Sequence, residues 1–104
     1  MAITTVQVNN SDTDVYVSSG NSAITFLSLT NYSGSAVAVD INLVPAGDSV
    51  GNVNLLVDTL EIAAHDTYQL YASGEKLLLV NSDKISVIAN ASTAVNAVTS
   101  YTAI

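Results

Sequence analysis

The sequence holds one neighbouring pair of histidine and acid, His65-Asp66. With Ser73 or Ser49 close in space, it has the residue types of a hydrolase triad. A triad needs its acid across the imidazole from the nucleophile, and an oxyanion hole besides. Adjacent residues on a strand point to opposite faces, so Asp66 is badly placed to orient His65. No Gly-x-Ser-x-Gly elbow is present. His65 therefore reads as a solvent-exposed corner residue, and no catalytic residue is assigned.

Asp12-Thr13-Asp14 puts two carboxylates at alternate positions, a spacing that suits calcium. An EF-hand loop needs further Asp or Asn, a glycine and a closing Glu downstream. Asn9 and Asn10 precede the pair instead, so the segment reads as a turn and a strand start, and no metal is assigned. Asp40, Asp48, Asp58 and Glu61 offer carboxylates for glycoside hydrolysis, but nothing in their spacing sets two across a bond. A Gly-x-x-x-x-Gly-Lys phosphate loop is absent, and no cofactor is assigned. Tyr16, Tyr32, Tyr68, Tyr71 and Tyr101 have the flat rings that sugars stack on, without the tryptophan more usual there. Capping a core edge or lying at a subunit interface is the more ordinary use of strand tyrosines.

The elements that would position these groups follow from composition. The chain has 104 residues, enough for one core and too few for two, so residues 1–104 read as a single domain. Ser, Thr and Asn make up roughly a third of it. They disfavour helix interiors and suit turns and solvated sheet faces. The net charge is −7, with Lys76 and Lys84 the only cations besides the terminus. That lacks the basic footprint nucleic acid requires, and an anionic membrane would repel it. Cysteine is absent, which removes disulfides and thiolate sites. The start, Met1-Ala2-Ile3-Thr4-Thr5, shows neither the basic nor the apolar region of a signal peptide.

Along the chain, residues 1–12 read as an N-terminal arm or edge strand, with Thr4, Val6 and Val8 on one face. A short strand follows with Val15 and Val17 on one side. Ser22 to Thr30 carries Ile24 and Phe26 on one side and Leu27 and Leu29 on the other, a strand apolar on both faces. After the turn Asn31 to Ser35, alternation is cleanest: Val37, Val39, Ile41 and Leu43 face the core. Ala36, Ala38, Asp40 and Asn42 face solvent or a neighbouring subunit. The two strands read as a hairpin. Later strands are expected over 53–62, bent near Asp58-Thr59, and over 67–71, 76–80, 84–90 and 94–101. Some eight short strands separated by turns indicate an all-β fold, a single antiparallel β-sandwich of jelly-roll type. The surplus apolar positions point to oligomerisation. Leu27, Leu29, Tyr16, Tyr32 and Tyr101 are the expected interface residues.

The order of segments carries a resemblance. Val15-Tyr16-Val17 leads to Gly20 and Ser22-Ala23-Ile24, then to Thr30-Asn31 and Ser33-Gly34-Ser35-Ala36-Val37. Leu60 to Ala63, Thr67-Tyr68-Gln69-Leu70, Leu77-Leu78-Leu79, Asp83-Lys84-Ile85 and Val98-Thr99-Ser100-Tyr101 complete it. This pattern resembles the small β-sandwich structural proteins of tailed-bacteriophage virions. Ser18-Ser19-Gly20 departs from it where that family often has a proline, and Asn81-Ser82-Asp83 where it often has Ala-Gly-Asp. The resemblance implies a non-enzymatic capsid decoration (cement) protein. Such a protein binds the outer head lattice as a homo-oligomer, a trimer, with the major capsid protein as partner. It would be assembled in the host cytoplasm and reside in the virion. A neck, tail or fibre component and a carbohydrate-binding host-adsorption module are the alternatives.

Overall fold

The computed structural model describes residues 2–70 and 77–104. Among these residues nine strands run in chain order: β1 Ala2–Val8, β2 Thr13–Val17, β3 Ser22–Asn31, β4 Val37–Val44 and β5 Leu55–Ile62 come first. Then follow β6 Thr67–Leu70, β7 Leu77–Leu79, β8 Lys84–Ala89 and β9 Val95–Ala103. Among the described residues one 3-10 turn, Asn52–Asn54, interrupts them. One sheet, sheet A, has the order β1-β9-β3-β6, with β7 also paired to β3. The other, sheet B, has the order β2-β8-β4-β5. All pairings are antiparallel. This is the strand order of a jelly roll, an all-β sandwich. Nine strands fill eight positions, because β6 and β7 lie end to end along β3, opposite Leu27–Thr30 and Ser22–Ile24 respectively. The turn expected at Ala72 to Glu75, together with Tyr71 and Lys76, lies outside the described residues.

The inner faces of both sheets form one apolar cluster. Ile24, Leu27, Leu29, Val39, Ile41, Ile85, Val87 and Val95 are almost fully buried in it. Burying a side chain of this size contributes about 1.5–3 kcal/mol each, and this is what closes the two sheets on one another.

Three local devices correct the expected faces. The pairing of β3 with β9 slips by one residue between Ile24 and Phe26. The extra residue, Thr25, shifts the pleat, so Ile24, Leu27 and Leu29 all point inward and β3 is not apolar on both faces. A second bulge lies in β2 between Asp14 and Tyr16. It turns both Val15 and Tyr16 into the core and leaves Val17 exposed, so Val15 and Val17 do not share a face. On β4, Val37, Val39 and Ile41 are buried as expected and Leu43 is half-buried against the core. Asn42 does not meet solvent. The segment after Pro45 folds back over it, and its amide donates to Gly51 O at 2.9 Å and Asn54 Oδ1 at 2.8 Å.

The bend expected near Asp58-Thr59 is present. The β4–β5 register slips there, Thr59 sits at φ 49°, and its N–H donates to Asp40 Oδ1 at 2.6 Å.

β3 and β4 are not a hairpin. They lie in different sheets, and residues 32–36 form an arch across the sandwich. Alternation and turn residues are common to hairpins and arches, so the pattern alone does not separate them. Asn31 holds the arch. Fully buried, it donates to Ser35 O at 2.8 Å and Ile62 O at 2.9 Å. Its Oδ1 accepts from Ser33 N at 3.0 Å and Ser33 Oγ at 2.7 Å.

Candidate interaction face

The residues with chemistry in their side chains are dispersed. His65 sits exposed at a corner with φ 59°. Asp66 Oδ1 accepts from Thr67 N at 2.8 Å, and its own N–H donates to Ala63 O at 3.1 Å. It therefore works as a turn-forming residue. Asp14 pairs with Lys84 Nζ at 3.2 Å, and Thr13 Oγ1 caps the preceding turn by donating to Ser11 O at 2.9 Å. No group of three or more His, Cys, Asp or Glu is placed to hold a metal among the described residues. A surface depression of about 300 Å³ lined by Ala38, Asp40, Thr59, Ile88, Ala89 and Asn90 is open to solvent. Its one carboxylate, Asp40, already accepts the Thr59 N–H.

Two polar clusters are structural. Ser22 Oγ lies 2.7 Å from Tyr16 Oη and 2.5 Å from Ser18 Oγ, inside the crossing from β2 to β3. Asp83 ties three loops together. It accepts from Ala46 N at 2.8 Å, from Val80 N at 2.9 Å and, through its carbonyl, from Ser18 N at 2.8 Å.

The expected interface residues divide. Leu27, Leu29 and Tyr16 are core residues and present nothing to a partner. The β3 and β2 bulges turned them inward, which the period-two count did not register. Tyr101 is half-buried, its ring centroid 4.5 Å from that of Tyr16. Tyr68 packs against the core. Tyr32 alone of the described tyrosines stands out, 46% exposed, its hydroxyl accepting from Gln7 Nε2. One ring is not a stacking platform.

A different feature organises the surface. Among the described residues, no strand of sheet A contains an Asp, Glu, Lys, Arg or His, whereas every strand of sheet B contains a charged residue. Asp14, Asp40, Asp58, Glu61 and Lys84 all lie on sheet B. The outward row of sheet A runs Ile3, Ser100, Phe26, the next Thr5, Val98, Ser28, and the next Gln7, Asn96, Thr30. Leu78 stands on the same side, opposite Ala23. Ile3 and Leu78 are each 69% exposed. They occupy opposite rims, three strand spacings or about 14 Å apart. This face is hydroxyl- and amide-rich, uncharged, and carries apolar side chains at both rims. The sparse charge is visible in the sequence, but its segregation appears only when strands are sorted by sheet.

Comparisons with protein-family models, with curated proteins and with solved structures find no match to this chain.

Proposed function

We propose that this chain is a non-enzymatic structural protein of a phage virion, a capsid decoration protein that seats the outer face of sheet A on the head lattice. The observation that carries the reading is the charge segregation. A protein of net charge −7 whose sheet A strands carry no charge among the described residues can dock that sheet without stripping water from ions. Hydroxyls and amides on the face exchange hydrogen bonds with water for hydrogen bonds with a partner at small net cost. The acidic sheet B then faces outward and keeps the assembled particles apart. The resemblance in the order of strands and turns supports the same station, as does the jelly-roll sandwich. The dispersal of His65, Asp66 and the other acids supports a non-catalytic role.

The test is copy number. The purified chain is mixed with heads of the phage whose genome encodes it, sedimented, and counted per particle. Hundreds of copies are expected for lattice decoration. Six to twelve copies would instead place the chain at a neck or baseplate, and none would overturn the virion reading.

A further inference from the structure

The four sheet edges are not alike. A free strand edge exposes a row of unpaired N–H and C=O groups, and proteins blunt such edges with charge, bulges, proline or brevity. Here β2 carries Asp14 and a bulge, and β5 carries Asp58, Glu61 and a bulge. The fourth edge is built from two separate described segments, β6 and β7, laid end to end along β3. β1 has none of these devices. Its seven residues, Ala-Ile-Thr-Thr-Val-Gln-Val, include no charge and no proline. Its register with β9 runs unbroken from Ala2 to Val8. Among the described residues, no hydrogen bond closes the outer edge of residues 2–7.

We propose that β1 is a self-association edge. It pairs antiparallel with β1 of a second copy about a two-fold axis through Thr5, joining two A sheets into one continuous sheet. The occupant follows from symmetry and charge. Thr5 is the midpoint of Ala2–Val8, so a two-fold there overlaps the whole strand and sets position 3 opposite position 7 and position 4 opposite position 6. Odd positions face outward and even positions inward in both copies, so the two cores remain on the same side. Each copy carries −7, and β1 belongs to the uncharged sheet, so this edge brings the bodies together with no acid in the contact. The two-fold contact stands apart from the virion reading and differs from the trimer that the resemblance implies.

The test is sedimentation velocity from micromolar to near-millimolar concentration. Thr5 is exposed, and a two-fold sets its side chain about 5 Å from its counterpart. The wild-type chain is expected to dimerise. Thr5→Lys and Thr5→Glu are each expected to sediment as folded monomers, and their equimolar mixture to recover the dimer. The chain has no cysteine, so Thr5→Cys is expected to give one disulfide-linked dimer under mild oxidation, a readout independent of the charge variants. A wild-type chain that stays monomeric, or forms trimers, overturns the proposal. So does a Thr5→Lys chain that associates like wild type, or a mixture that fails to recover. Failure here leaves the head-binding count untouched, and a dimer that ignores heads leaves this proposal standing.

Discussion

The side-chain amide of Asn31 donates to the carbonyl oxygen of Ile62 at 2.9 Å, tying the end of β3 in one sheet to the end of β5 in the other. One buried amide thereby fixes an arch, a strand end and the distance between sheets. Asn31→Ala removes its bonds to Ser35, Ser33 and Ile62 together and strips the buried Ile62 carbonyl of its side-chain donor. A loss of about 3 kcal/mol is expected, read as a lower urea midpoint at unchanged slope. Asn31→Asp keeps the acceptor for Ser33 but turns a carboxylate on carbonyl oxygens, and is expected to cost at least as much.

Leu29 and Ile3 separate packing from contact. Leu29→Ala is expected to destabilise the fold by about 2–5 kcal/mol, as deletion from a closed core does. Ile3→Ala, at an exposed position, is expected to fall within about 0.5 kcal/mol of wild type. Thermal unfolding of the two variants side by side checks both. An unchanged Leu29→Ala would place that side chain at the surface after all.

These two residues also show how far the sequence was legible. Alternation located β4 and its Val37, Val39 and Ile41 face, and the turn residues located most strand ends. The bulges at Thr25 and Val15 were illegible, because one inserted residue reverses every face beyond it while leaving composition unchanged. Which strands share a sheet was illegible too. Local pattern reports what precedes and follows a strand, whereas a jelly roll pairs β1 with β9 and β2 with β8. The uncharged sheet could not be read until that pairing was known. His65 was legible as a corner residue because its chemistry lacked a positioned partner.

Thr59 is a β-branched residue at φ 49°, a region such side chains avoid. Asn tolerates that region better. Thr59→Asn is expected to raise stability by about 0.5–1 kcal/mol, with the Asp40 bond to its N–H retained. Chemical denaturation measures the gain. A loss would mean that the Thr59 hydroxyl bond to Asp58, 2.9 Å, outweighs the backbone strain.

Thr99 lies fully buried, and its hydroxyl has no hydrogen-bond partner among the described residues. It sits between Thr4 of β1 and Leu27 of β3. Thr99→Val keeps the shape and removes the unpaired group, so a gain of about 1 kcal/mol is expected. Thr99→Ser, which keeps the hydroxyl and opens a methyl-sized void, is expected to lose about 1 kcal/mol.

We propose that the uncharged outer face of sheet A is what meets the capsid. Its most direct test compares head binding by the wild-type chain and by an Ile3→Glu/Leu78→Glu variant. Both positions are exposed, so the variant keeps its fold, checked by circular dichroism. Wild type is expected to saturate heads at hundreds of copies, and the variant to bind at least tenfold more weakly. A folded variant that binds as well as wild type, or a wild-type chain that does not bind heads at all, rules out docking through this face.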